Sequence, residues 1–344
     1  MIEDTDSAVV GDTVERPVIC FLSRKAPARY KDLDAEILGR HFKVLRVDYS
    51  YTLQSLLQFR GAVKRCDVIV SWFANPWLGF LLSLVPKRVR IVVIAGGYDV
   101  ADCPALDYGA RRRPFLGMLT RRLLKRANLV LSVSKFNEAE MLTWVQPAQT
   151  RLVYNAVDFP AFSLVPNRSR QQKVVTVGAI ESFISKRKGH FVFIDVARQL
   201  PEIEFVLIGK PMDDTIEHLK EQAPSNVRFT GYVTRQEMIQ EMLSASVYLQ
   251  MSAHEAFGVS VAEAVACGCY PIVSVDTALP EVIGTCGRAL PVNPIGDVVD
   301  AVSNALSQAS HTLVDPVRIR QKFGVAQREQ QLVAAIKELI NENG

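Results

Sequence analysis

VYLQMSAHEAFGVSVAEAVACGCYPIVSVDTALPEVI, residues Val247 to Ile283, opens with an apolar run that reads as a buried strand. Gly258 to Cys267 reads as a helix with Val259, Ala262, Val265 and Ala266 on one face. Between them a short loop carries His254 and Glu255. A helix starting at Phe257–Gly258 aims its free backbone N–H groups and positive dipole end above the strand, where an anionic ligand is favoured. Gly258 has no side chain, so a ligand can approach that backbone. Glu255 precedes the helix and Glu263 lies inside it, so the two acids are expected to address different parts of one elongated ligand. Tyr270–Asp276 follows as a second strand, and its end brings Thr277–Glu281 to the same rim.

The pattern extends outward in both directions. Val18–Leu22, Val44–Val47, Val68–Trp72, Arg90–Ala95, Leu129–Val133 and Leu152–Tyr154 are short apolar runs, separated by helical patterns such as Tyr30–His41, Leu53–Lys64 and Lys135–Trp144. Such alternation predicts βαβ units and a parallel sheet with helices on both faces. Phe159–Gln172 is polar and rich in Pro, Ser and Arg, as linkers are. The alternation then restarts with Val174–Val177, Glu204–Ile208, Val227–Thr230, Val247–Met251 and Tyr270–Val275. At 344 residues the chain exceeds the roughly 250–300 at which one core stops growing. The expectation is an α/β protein of two Rossmann-like parallel-sheet domains facing a central cleft. Residues 1–16 read as a disordered tail, 17–165 and 166–324 as the domains, and 325–344 as a helix packing back on the first domain.

Hydrophobic residues make up 49% and charged residues 22%, the profile of a soluble globular protein. No run approaches the ~18–20 apolar residues needed to span a bilayer, and Trp77–Val85 reads as a buried helix closed by Pro86. The acidic first sixteen residues lack the basic start and apolar stretch of a signal peptide. Six cysteines form no CxxC pair and no zinc-like spacing, so they are expected to be reduced thiols of a cytoplasmic protein. No G-x-G-x-x-G follows a strand, which sets aside dinucleotide binding.

Glu255 and Glu263, embedded in EAFGVSVAEAVACG and followed by PIVS and LPEVI, resemble the donor-site signature of retaining glycosyltransferases of the GT-B fold, family four. The resemblance also covers Val177-Gly178, Lys188-Gly189, Ile208-Gly209, Phe229–Val233 and Arg151–Asp158. It implies transfer of a sugar from a UDP- or GDP-sugar to an acceptor hydroxyl, with no metal or other cofactor. Lys188 is implied as a phosphate ligand, with Lys186 and Arg187 beside it at a helix start near Lys188–Gly189. The nucleotide base is implied beside Gly231, Tyr232 and Val233, and the ribose hydroxyls on Glu263. Glu255 would face the sugar hydroxyls, while the N–H groups of Phe257, Gly258 and Val259 reach sugar or phosphate oxygens. Glu255, Lys188 and Asp99 are the residues expected to serve catalysis.

Three positions depart from the family pattern. Ala179 stands where an Arg is common, Gly96 where a His is common near the reacting sugar, and Ser23–Pro27 lacks a Gly-Gly pair. Arg111 to Arg126 holds seven cations and Phe115, Met118, Leu119 and Leu123 at helical spacing. This segment fits either an anionic membrane surface, placing the protein peripherally on the inner face, or a helix packed on the sheet with a solvated basic face. A net charge of +4 without an aromatic-basic motif argues against nucleic acid. Two other functions remain open, a nucleotide-sugar epimerase on the same fold and a non-catalytic sugar-nucleotide-binding protein.

Overall fold

The computed structural model describes residues 16–26, 28–159, 170–307 and 314–342. The expected N-terminal tail, through residue 15, and the middle of the expected linker, 160–169, lie outside the described residues. The first half forms β1 (Val18–Arg24), β2 (Lys43–Tyr49), β3 (Val68–Trp72), β4 (Arg90–Ala95), β5 (Leu129–Ser132) and β6 (Thr150–Leu152). The second forms β7 (Gln171–Val177), β8 (Glu204–Ile208), β9 (Val227–Phe229), β10 (Ala245–Gln250), β11 (Tyr270–Ser274) and β12 (Arg288–Leu290). Every pairing is parallel, in the orders β2-β1-β3-β4-β5-β6 and β12-β11-β10-β7-β8-β9. β3 and β10 are buried along their whole length, which is why they read as largely apolar runs rather than alternating ones.

The order of each sheet reverses once, between β1 and β3 in the first and between β7 and β10 in the second. At such a switch the flanking helices leave in opposite directions and open a crevice beyond the carboxyl ends of the strands. Residues following β3, β4, β7 and β10 line one shared cavity, so the two crevices face each other.

A buried ion pair locks the end of the chain onto the first domain. Arg328, in the helix Val325–Asn341, donates to both carboxylate oxygens of Asp34 at 2.5 and 2.6 Å. It also donates to the carbonyls of Val153 and Tyr154 at 3.1 and 2.7 Å, and Trp72 Nε1 caps Asp34 at 2.7 Å. The strand expected at Leu152–Tyr154 therefore ends at Leu152, because the next two carbonyls face Arg328 rather than a neighbouring strand. β12 escapes a reading by periodicity because three residues are too few to show one. Trp77–Val85 forms a helix, Pro76–Leu81, and one tighter turn, packed on one side only, so Phe80 and Leu84 face solvent. No described helix is long and apolar enough to cross a membrane.

Candidate active site

Gln250, the last residue of β10, organises the loop that follows. Its buried amide accepts from Tyr248 Oη at 3.0 Å and Ser260 Oγ at 3.1 Å, and donates to Ser252 Oγ at 3.0 Å and Glu255 Oε2 at 3.3 Å. One side chain thus ties the strand, the loop and the next helix together. The Glu255 backbone carbonyl accepts from Ala278 N at 3.0 Å, so the loop after β11 holds it from the other side.

The Glu255 carboxylate faces two cations, with Arg187 Nη1 at 3.4 Å and Lys188 Nζ at 3.5 Å from Oε2. Burial works against its charge, but Lys188 and Arg187 outweigh it and hold its pKa below the usual value. For Lys188 burial dominates, lowering its pKa against the opposing pull of Glu255.

These cations arrive differently from the expectation. Lys186, Arg187 and Lys188 form the last turn of a short helix, Ser182–Lys188, where a loop was expected, and directly precede the expected helix start at Gly189–His190. Gly189, at φ 76°, ends that helix and begins the next, His190–Gln199. Cations suit the negative end of the first helix. The helical rotation also separates the three, since Arg187 and Lys188 line the cavity while Lys186 points to solvent outside it.

Gly178, Phe257, Gly258, Val259 and Glu263 line the same cavity, of about 480 Å³. The helix begins at Val259, one residue after Gly258. Gly258 is required by packing and backbone conformation. Its φ is 95°, and an added Cβ would lie 2.3 Å from Leu279 Cδ2. Glu263 is buried, and its Oε1 lies 2.9 Å from Arg235 Nη2. Burial raises the Glu263 pKa, and Arg235 opposes the rise.

Other expected site residues fall elsewhere. Gly231, Tyr232 and Val233 lie outside the cavity lining, with Tyr232 74% exposed, whereas Arg235 two residues on reaches in and also donates to the Asp158 carbonyl. Asp99 lies behind the wall. Its buried carboxylate accepts from the backbone N–H groups of Ala74, Gly97 and Gly96 at 2.8, 2.9 and 3.1 Å. Burial nevertheless raises its pKa to about 6. Asp99 is a positioning residue that joins the loops after β3 and β4, not a group facing a substrate. Glu281, expected at the rim, ties the domains together by accepting from Lys135 N at 2.9 and 3.1 Å and from Tyr154 Oη at 2.6 Å. His254 lines the cavity and directs Nε2 to Glu140 of the first domain at 3.0 Å. Arg24 and Lys25 do not line the cavity, because Lys31 Nζ pins the carbonyls of Arg24 and Ala26 at 2.8 and 2.7 Å. Arg29 reaches the cavity from the same segment, held by Asp158 at 3.0 Å.

The first domain's wall is largely aromatic, with Tyr30, Trp72, Phe73, Tyr98 and Tyr108. None of these was picked out by motif. Position relative to the strands was the available signal, since Phe73 and Tyr98 follow the carboxyl ends of β3 and β4, where open α/β sheets bind ligands.

Two parallel-sheet domains face each other across this cleft, with an acid, two cations and a second acid on one wall and aromatic rings on the other, the GT-B arrangement. Residues 165–322 match glycosyl transferases group 1, and residues 16–159 match glycosyltransferase family 4. The chain belongs to glycosyltransferase family 4 of the GT-B fold. It is 28% identical over 243 residues to O-antigen chain mannosyltransferase B of Escherichia coli, covering 65% of this chain and 62% of that protein. It is 35% identical over 116 residues to alpha-galactosylglucosyldiacylglycerol synthase of Streptococcus pneumoniae, covering 32% of this chain and 30% of that one. These matches thus span less than two thirds of each relative. The crystal structure of Anabaena HepE in complex with UDP and glucose superposes with a TM-score of 0.74 at 16% identity, covering 94% of this chain and all of that one.

Proposed function

We propose that the protein transfers a sugar from a nucleoside-diphosphate sugar to an acceptor hydroxyl with retention of anomeric configuration. The observation that carries this reading is the convergence of Lys188 and Arg187 on Glu255, with Glu263 further along the same cleft. In this reading Glu263 accepts the ribose hydroxyls, Lys188 and Arg187 take the diphosphate, and Glu255 orients the sugar between them. The acceptor oxygen bonds to the anomeric carbon as the bond from that carbon to the diphosphate breaks, and the acceptor proton passes to a phosphate oxygen. Glu255, ion-paired twice, is suited to orientation rather than to attack as a glycosidase nucleophile. Positioning and stabilisation of the departing charge by fixed cations supply the rate. Charge neutralisation is assigned to protein groups, so the reading needs no metal.

The test begins with melting curves in UDP and GDP, since a ligand at 100 times its Kd adds ~2.7 kcal/mol of stability. Product analysis by NMR with the matching nucleotide sugars then reads linkage and configuration. Stabilisation without release of free nucleoside diphosphate in the presence of acceptors favours the binding-protein alternative, and interconversion of donor sugars favours the epimerase.

A second surface bears on where the acceptor resides. Arg111, Arg121, Arg122, Lys125 and Arg126 line an open groove of about 610 Å³ beside Trp144, and Phe115, Leu116 and Met118 on the same helix are exposed. Arg112 and Arg113 are instead paired with Asp102 and Asp107, and Arg111 lies within 3.7 Å of Asp102. We read the groove as a contact with an anionic membrane face, at roughly 1 kcal/mol per cation. Co-sedimentation with anionic and neutral vesicles tests it, and protein that stays in solution with both defeats it.

A further inference from the structure

Phe73 has a left-handed backbone, at φ 66°, which a bulky L-residue rarely adopts. The conformation is fixed from several sides. Its N–H donates to the Ile94 carbonyl at 2.9 Å, and its own carbonyl accepts from Asn75 N at 2.8 Å and Ser71 Oγ at 3.0 Å. The following N–H, of Ala74, is held by Asp99 at 2.8 Å, and the same carboxylate holds Gly96 and Gly97. One buried acid therefore sets the Phe73 loop against the Gly96 loop.

The consequence of that arrangement is a ring placed where a side chain at 96 would go. A Cβ on Gly96 would lie 2.3 Å from Phe73 Cε1, so Gly96 yields its space to the phenyl ring. The ring lines the cleft and is only partly buried, with Tyr30 edge-on at 6.4 Å and Trp72 at 5.5 Å between ring centres. It also stands close to the chemistry. Gly97, next to Gly96, approaches the other domain so nearly that an added Cβ would be 2.9 Å from the Cβ of Ala256, the neighbour of Glu255. The charged groups of the donor side thus face an uncharged aromatic surface.

We propose that Phe73 is an acceptor-binding and specificity-determining residue, its ring forming a platform for an acceptor with an apolar face, such as the C–H face of a sugar or an attached aryl or alkyl group. This rests on the donor reading above. Aromatic side chains combine a large apolar surface with a fixed ring plane, and backbone strain retained at a cleft points to such a use. A small anionic acceptor gains nothing from this platform, since positions 73 and 96 offer neither charge nor hydrogen bond.

The test measures calorimetric binding of 4-nitrophenyl and octyl glycosides, and of glycerol 3-phosphate, to protein saturated with UDP or GDP. Phe73→Gly suits the left-handed backbone, so it removes the ring while relieving strain, and its melting temperature checks the fold. Phe73→Tyr keeps the ring. Wild type is expected to bind at least one glycoside, Phe73→Gly at least tenfold more weakly, and Phe73→Tyr within about threefold of wild type, with nucleotide affinity alike in all three. Nucleotide-bound wild type that takes no glycoside, or prefers glycerol 3-phosphate, overturns the proposal, as does a folded Phe73→Gly with undiminished glycoside affinity. Failure of wild type to bind either nucleotide overturns the donor reading instead, and with it this one.

Discussion

Arg235 holds Glu263 at 2.9 Å across the cleft end of the second domain, so the acid assigned to the ribose is already paired by a side chain from the first turn of the helix Arg235–Ser244. Arg235 thereby offsets part of the burial that raises the Glu263 pKa. Glu263→Ala is expected to weaken UDP or GDP binding at least tenfold, because a hydrogen bond to a charged group contributes ~1.5–3 kcal/mol. Glu255→Ala should weaken binding of the nucleotide sugar far more than that of the bare nucleotide. Arg235→Ala should move the acid limb of nucleotide binding to higher pH, since the remaining carboxyl protonates more readily. Calorimetric titration between pH 5 and 8 measures all three, and equal nucleotide affinity in wild type and Glu263→Ala removes the ribose assignment.

Lys188 and Arg187 flank one carboxylate oxygen of Glu255, and in the proposed donor reading they take the diphosphate. Lys188→Ala should weaken nucleoside-diphosphate binding by roughly ten- to a hundredfold. The corresponding nucleoside, having no phosphate, should bind wild type and mutant alike. Lys186→Ala, which removes a solvent-facing charge, should leave both affinities unchanged. Diphosphate affinity that survives Lys188→Ala would place the phosphates elsewhere, with Arg29 the next candidate on the cavity wall.

The Arg328–Asp34 pair is inaccessible to solvent on both sides. Removing one partner strands the other charge inside the protein, at a cost of roughly 3–5 kcal/mol. Arg328→Met should therefore lower unfolding stability by about that amount in urea titrations. Asp34→Asn should cost at least as much, because it leaves the buried Arg328 guanidinium unpaired and that group, unlike a stranded carboxyl, cannot shed its charge. A small effect of Arg328→Met would mean that the final helix is only loosely docked.

His190 is buried at the start of the helix His190–Gln199, with Nδ1 3.1 Å from Ser185 Oγ. Burial, and then Lys188 and Arg187, lower its pKa to about 3. Its folded pKa lies below the unfolded value of ~6.5, so between these limits the unfolded chain binds the extra proton and stability falls as pH drops. Wild type should lose up to ~1.4 kcal/mol per pH unit more than His190→Gln between about pH 6 and 4. Parallel stability curves for the two proteins would show that His190 is accessible to protons in the folded state.

Much of the architecture was legible in the order of residues. Strands buried on both faces, such as β3 and the Phe205–Ile208 part of β8, need largely apolar runs, and that local requirement shows in the sequence. The spacing of Glu255 and Glu263 likewise fixes that they sit before and within one helix, because both belong to a single β–loop–α unit. Helix rotation and domain juxtaposition leave no such local mark. Whether Lys186, Arg187 or Lys188 meets Glu255 depends on where the helix Ser182–Lys188 ends at Gly189. Whether Asp99 faces a substrate or holds two loops depends on Ala74, which reaches it through the pairing of β3 with β4. The ring of Phe73 over Gly96, the Arg235–Glu263 pair and the Arg328–Asp34 lock join residues 23, 28 and 294 positions apart in sequence. Only close packing of the two sheets and the returning helix decides such contacts, because each depends on the shape of a neighbour that the local sequence does not encode.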